Sequence, residues 1–182
     1  MRVQVGTCSV ETYIGEFPPQ YHVLHEHVSL VEEFDLDGRN DEEGHIFVCT
    51  LGCELQAPLM VAQRYQPYGS GFRPGVLVVP ETRTAFFGAG TRLLAYDLNQ
   101  PRRLWEDTTD IGFWWWDRVS DVVLMAAELE LAAWTIQGEK LWTTFVEPPW
   151  GYTVQSDQIV LDVMGIQTEF DHREGPMKGT QI

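Results

Sequence analysis

The 182-residue sequence has few cysteines and no long apolar run. Three cysteines (Cys8, Cys49 and Cys53) are too few, and odd in number, for the disulfide framework of a small secreted domain, so they favour a reducing compartment. The apolar runs are too short for a membrane-spanning helix. The first residues alternate apolar and polar side chains, as a strand does and a signal peptide does not. These absences predict a cytoplasmic protein.

Basic residues are also scarce, since 12 Lys and Arg stand against 27 Asp and Glu and give a formal charge of −15. Nucleic-acid affinity comes mainly from cations that displace counterions, so nucleic acid and anionic membranes are poor partners. A protein with a basic surface suits this charge better. Apolar residues make up 44% of the chain, which is enough for a folded core, and the length fits one domain over residues 1–182.

Familiar catalytic motifs are absent: there is no G-x-S-x-G elbow, no phosphate-binding glycine loop and no H-E-x-x-H helix. The densest set of metal-ligating groups follows Tyr21 and includes His22, His25 and His27. Interpreted as a strand, the segment places His25 and His27 on one face, and Glu33 is a nearby carboxylate. These residues are the candidate metal ligands of a metal-assisted hydrolase or lyase. Unliganded surface histidines are the commoner alternative.

Two other clusters have simpler explanations than metal binding. The acidic loop 35–44, "DLDGRNDEEG", lacks the spacing of a calcium-binding EF-hand loop and is typical of a solvated hairpin tip. Cys49 and Cys53 on one strand would lie about 13 Å apart, too far for one ion. We expect both cysteines to be small buried hydrophobic residues.

The second half of the chain contains a repeat of about 40 residues, a period typical of propeller blades. When "AFFGAGTRLLAYDLNQPRRLW" (85–105) is set above "VLMAAELELAAWTIQGEKLW" (123–142), apolar and aromatic positions coincide. A shorter third copy follows Gly151. The repeat predicts units at about 71–110, 111–150 and 151–176, after an N-terminal β region at 1–70.

Strands can be placed by alternation and by their turn residues. The first unit predicts strands at 75–80, 84–89, 92–98 and 102–106, and the N-terminal region predicts strands at 2–5, 28–34, 45–51 and 59–65. Helix propensity alone would make 124–136, "LMAAELELAAWTI", a helix. Its alignment with a segment that contains Gly88 and Gly90 favours strands instead.

The segments "LLAYDLNQPRRLW" and "LAAWTIQGEKLW" resemble the blade signature of quinoprotein-type β-propellers. The resemblance covers about residues 71–175 and implies that Trp105 and Trp142 dock between neighbouring blades. Pro101 and Thr135 depart from the signature, and the chain is too short for eight blades, so no quinone cofactor is expected. The predicted fold is all-β and small β-propeller-like, with a β-sandwich or an incomplete propeller as alternatives.

The connections between units carry the candidate binding residues, because such connections line one face of a propeller. Trp150 and Tyr152 belong to "EPPWGY", and Tyr68 and Phe72 to "QPYGSGF". Their aromatic and acidic character suits a protein partner with a basic surface, so a non-catalytic binding module is the leading hypothesis.

Three consecutive tryptophans, Trp114, Trp115 and Trp116, stand in the predicted first strand of the second unit. A regular strand would turn Trp114 and Trp116 to one neighbouring sheet and Trp115 to the other. The pattern therefore favours core filling over a binding platform.

Overall fold

The computed structural model describes residues 1–36, 44–53, 58–66 and 73–177. The described chain is built of strands and one short helix, α1 (Tyr21–Glu26). It has no helix with the length and hydrophobicity that a bilayer crossing requires.

The strands form four sheets, numbered here in chain order. Sheet 1 contains β1 (Arg2–Val5), β2 (Cys8–Gly15), β3 (Leu30–Phe34), β4 (His45–Cys53) and β5 (Leu59–Tyr65). Sheet 2 contains β6 (Gly75–Val79), β7 (Thr84–Ala89), β8 (Arg92–Asp97) and β9 (Arg102–Thr108). Sheet 3 contains β10 (Phe113–Val119), β11 (Val122–Ala127), β12 (Glu130–Thr135) and β13 (Lys140–Phe145). Sheet 4 contains β14 (Trp150–Gln155), β15 (Gln158–Val163) and β16 (Ile166–Asp171).

Sheets 2, 3 and 4 are antiparallel meanders whose strands lie side by side in chain order. Sheet 1 has the order β1-β2-β4-β5-β3 and includes one parallel pair, β3 with β5. The all-β, blade-like fold is confirmed. Residues 122–135 form two strands, as the repeat predicted against helix propensity.

Three apolar cores join the sheets face to face. The first core lies between sheets 1 and 2, the second between sheets 2 and 3, and the third between sheets 3 and 4. Phe87 contributes to the first core and its neighbour Phe86 to the second, because adjacent residues of a strand point to opposite faces. Each of sheets 2 and 3 is thus buried on both faces. Among the described residues no apolar core joins sheet 4 back to sheet 1, so the sheets form an open row.

The closing tryptophans of sheets 2 and 3 tie each sheet to the next. Trp105 on β9 donates its indole N–H to the Gly138 carbonyl at 2.6 Å, and its ring stacks on Trp134. Trp142 on β13 donates to the His172 carbonyl at 2.9 Å. Both partners belong to turns of the following sheet, so the two tryptophans have the docking role that the propeller resemblance implied.

The two ends of the row differ from its interior. The outer face of sheet 1 is covered by α1 and its flanking residues, which pack Tyr21, Leu24 and Val28 onto the sheet. On the outer face of sheet 4, Thr153, Gln155 and Glu169 are exposed. A helix thus covers the outer face of sheet 1, and polar side chains lie on the outer face of sheet 4.

The N-terminal region departs from the sequence expectations at two places. The histidines lie on and just after α1 instead of a strand, because Tyr21, Leu24 and Val28 recur at a helical spacing. Cys53 is not a free thiol: it lies directly opposite Cys8 across β2 and β4, and the two form a disulfide. Of the three cysteines, Cys49 alone is free, and it is buried as predicted. Most of the acidic loop, residues 37–43, lies outside the described part of the chain.

Candidate functional site

A group of four aromatic rings lies where β10 meets β14, on the edge formed by the first strands of sheets 3 and 4. We call this group the aromatic stack. Its members are Trp114, Trp115, Trp150 and Tyr152. Both strands stand at the edge of their sheets, which leaves the rings accessible from that side.

A β-bulge in β10 brings two consecutive tryptophans into the stack. Phe113 lies opposite Ala127 of β11 and Trp115 lies opposite Ala126, so Trp114 is the extra residue. Across a bulge the normal alternation of side chains is lost. Trp114 and Trp115 therefore both contact the rings of sheet 4, while Trp116 packs into the core between sheets 2 and 3.

The rings are close to parallel. Trp114 stacks on Trp115 with a centroid distance of 5.5 Å and an interplanar angle of 19°. Its other neighbour is Trp150, at 5.3 Å and 14°. Trp150 is in turn stacked with Tyr152 at 6.4 Å and 19°. Such contacts add to the energy of burial, so the rings hold one another in a fixed orientation.

Hydrogen bonds fix the polar ends of the same rings. The Trp115 indole N–H donates to the Tyr152 hydroxyl at 3.3 Å, and that hydroxyl donates to Asp117 Oδ2 at 3.2 Å. Burial, with a further contribution from the Asp117 carboxylate, raises the pKa of Tyr152 well above its ordinary value, so the hydroxyl stays protonated and remains a donor. Trp150 donates to the Glu128 carbonyl at 2.9 Å.

The stack is only partly buried. Trp115 keeps 45% of its surface exposed, whereas Trp114, Trp150 and Tyr152 are half-buried. Asp117 places a carboxylate at the edge of the rings. A rigid array of aromatic faces beside a carboxylate is suited to flat or cationic groups, which bind π faces and pair with the acid.

The structure brings together two of the four predicted binding residues, Trp150 and Tyr152. Tyr68 and Phe72 lie outside the described residues. The predicted orientation of the tryptophan run is wrong, because the bulge moves Trp114 to the side of Trp115. Of the three tryptophans, only Trp116 fills a core as the sequence predicted. Asp117 was not predicted as a binding residue. The sequence signal for the site was the run of three tryptophans, because three consecutive bulky side chains do not fit the alternation of inward and outward side chains along a regular strand.

The predicted metal ligands are only partly assembled. His25 Nε2 lies 3.7 Å from Glu33 Oε1, and Glu33 also accepts the hydroxyl of Tyr21. His27 instead contacts the Val23 carbonyl through Nδ1 at 2.6 Å. No group of three or more His, Cys, Asp or Glu side chains in the described ranges is arranged to hold a metal ion. The metal-assisted enzyme stays a prediction, and the part of the chain that the structure describes holds no assembled site that supports it.

The fold and the stack define an all-β protein of propeller-like type, an open row of blade-like sheets with an aromatic edge. No protein-family model matches the chain, and no curated protein matches it by sequence. Among the solved structures that resemble it are the following two. The computationally designed Ika4 protein has a TM-score of 0.44 and 14% identity over 60% of this chain and 72% of its own. BamB from Moraxella catarrhalis, a β-propeller, has a TM-score of 0.45 and 16% identity over 81% of this chain and 48% of its own. The likeness is weak, and the chain spans about half the length of BamB.

Proposed function

We propose that the protein is a non-catalytic binding module that holds a basic segment of another protein on the aromatic stack. The observation that carries this proposal is the state of Trp115, which is 45% exposed although its ring is stacked and its N–H is hydrogen-bonded. An aromatic side chain held rigid but left open to solvent loses little further entropy when a ligand arrives.

The chemistry of the stack favours a cationic ligand. Arg and Lys side chains are attracted to the faces of Trp and Tyr, and Arg also stacks on them. The Asp117 carboxylate, at the rim of the stack, can pair with the same cation. The formal charge of −15 adds a long-range attraction that speeds encounter with a basic partner.

A short flexible peptide tests this proposal without involving strand pairing. The probe is Gly-Arg-Gly-Arg-Gly, compared with the same peptide in which Gln replaces Arg, and binding is followed by tryptophan fluorescence at low salt. We expect the Arg peptide to quench the fluorescence and Trp115→Ala to weaken its binding about tenfold, a loss of about 1.4 kcal/mol, within the range of a cation–π contact.

Two variants control for general effects. Phe145 is also exposed but lies on β13, away from the stack, so Phe145→Ala should bind the peptide as the wild type does. Trp116→Ala should lower the stability by about 3–5 kcal/mol, because Trp116 packs against Phe86, Phe113 and Trp134 in the second core. Equal losses of binding in Trp115→Ala and Phe145→Ala would contradict the proposal.

A further inference from the structure

Within the described residues, sheet 4 has one strand fewer than sheets 2 and 3. In sheets 2 and 3 the third strand pairs with a fourth, β8 with β9 and β12 with β13. In sheet 4 the third strand is β16, and within the described residues its outer edge has no strand beside it. Within residues 1–177, apart from the gaps, the position of a fourth strand beside β16 is therefore unfilled.

The backbone direction of β16 shows which groups face this edge. His172, next to β16, donates its backbone N–H to the Asp157 carbonyl, so it faces β15. Direction alternates along a strand, and Gln167 and Glu169 therefore turn their N–H and C=O groups away from β15. Asp171 is two residues after Glu169, so its backbone groups point the same way. Its carbonyl accepts the Gly175 N–H on that outer side. Gln167 and Glu169 thus offer a ladder for an added strand.

The side chains along this edge indicate which charge an added strand should carry. Gln167 and Glu169 occupy the positions that Leu131 and Ala133 hold in β12, where the fourth strand sets Thr144 and Trp142 opposite them. At the edge of β16 the residue opposite Glu169 would meet an exposed carboxylate instead of a methyl group. Opposite charges across neighbouring strands are stabilising and like charges are not.

We propose that the outer edge of β16 accepts an extended segment of a partner protein as a fourth strand, with basic residues at alternate positions, one of them facing Glu169. Backbone hydrogen bonds would supply affinity and the alternating cations would supply specificity, as in other cases of strand addition. The β16 strand of a second copy is a poor occupant, because it contains no Lys or Arg to face Glu169. The edge lies on the third strand of sheet 4 and the aromatic stack on the first, so neither proposal depends on the other.

The test uses a peptide that readily forms a strand, Thr-Arg-Val-Arg-Val-Arg-Thr, and its counterpart with Glu in place of Arg. Hydrogen exchange of individual amides is followed by NMR on the full chain. We expect the Arg peptide to protect the amides of Gln167 and Glu169, and the Glu peptide to leave them unprotected. Lack of protection by the Arg peptide, or equal protection by both, would overturn the proposal.

A pair of substitutions at one position separates backbone pairing from charge attraction. Gln167→Pro removes the outward N–H without breaking the ladder with β15, and Gln167→Thr keeps that N–H while losing the same side chain. We expect binding to weaken about tenfold in the proline variant and to change less than about threefold in the threonine variant. Equal affinities of the two variants would count against strand addition.

Two further results would also overturn the proposal. If the Gln167 and Glu169 amides are already protected in the free protein, another part of the chain or a second copy occupies the edge. If Trp115→Ala abolishes the binding of this peptide, the aromatic stack and not the edge is its site. Retained binding in Trp115→Ala supports the edge, whatever the outcome for the aromatic stack.

Discussion

At the scale of single residues, three consecutive tryptophans have three different surroundings. Trp114 lies between two other indoles, Trp115 is open to solvent, and Trp116 is packed in the second core. The side chains are identical, so the backbone causes the difference: the bulge at Trp114 removes one step of alternation. A chemically uniform segment thus serves both the core and the candidate binding site.

Glu130 allows a prediction about how the stability of the protein depends on pH. Burial raises the pKa of its carboxyl, and the Thr143 hydroxyl, which donates to Oε1 at 2.6 Å, opposes this shift only in part. The folded protein therefore binds this proton more tightly than the unfolded chain, so the contribution of Glu130 to stability is present at low pH and is lost as the pH rises through the folded-state pKa.

Glu130→Gln removes this dependence. We expect the free energy of unfolding of the variant, relative to the wild type, to increase between about pH 4 and pH 7, as measured by urea denaturation. The exposed Glu139 of the same hairpin gives the matched control, because Glu139→Gln also removes one carboxylate but from the surface. A difference that stays constant over this pH range would contradict the assignment.

At the scale of elements, the Cys8–Cys53 disulfide ties β2 to β4 at the first core. It closes a segment with a sequence separation of 45 residues, and both sulfurs are buried. Cross-linking residues this far apart restricts the unfolded chain, and removing such a bridge costs about 2–4 kcal/mol. The disulfide also bears on the compartment, because bridges of this kind persist under oxidising conditions.

The contribution of the disulfide can be measured by comparing the stability of the protein with and without a reductant. In guanidinium denaturation we expect dithiothreitol to lower the stability of the wild type by about 2–4 kcal/mol and to have no effect on the double variant Cys8→Ala, Cys53→Ala. Cys49 is the control thiol: burial raises its pKa, so it should react with a thiol reagent only when the protein unfolds. A wild type whose stability is insensitive to reductant would show that the bridge is not formed.

At the scale of the whole molecule, the outer faces of the first and last described sheets differ. The helix α1 packs on the outer face of sheet 1, and the exposed side chains described on the outer face of sheet 4, Thr153, Gln155 and Glu169, are polar, so this second face offers little apolar surface to another copy. We expect light scattering to give the mass of one chain, 20.8 kDa.

The polar end can be altered to test this explanation. Thr153, Val160 and Glu169 lie side by side across the outer face of sheet 4. Replacing Thr153 and Glu169 by Val would create an apolar row around Val160, and we expect the variant to self-associate as its concentration rises. Replacing the exposed Gln4 and the half-buried Glu11 of sheet 1 by Val is the control for added hydrophobicity elsewhere. Self-association of the wild type, or equal behaviour of both variants, would contradict the role of the polar face.

The sequence by itself determined the strands and their meandering order in the second half of the chain. Alternation, turn residues and the repeat act over a few residues, and they outweighed the helix propensity of 124–136 because two facing sheets bury both sides of β11 and β12. Two residues of the candidate site, Trp150 and Tyr152, were also found from the sequence, since aromatic residues in a connection are a local signal.

Only the tertiary structure decided the rest, because the rest depends on contacts between distant residues. The disulfide needs Cys8 and Cys53 to meet across two strands, and α1 needs the outer face of sheet 1 to pack against. The bulge at Trp114 is fixed by the partner strand β11 and by the rings of β14. A regular alternation would have split the tryptophans between two cores, and the packing of sheet 4 against sheet 3 instead assembled them into one accessible stack.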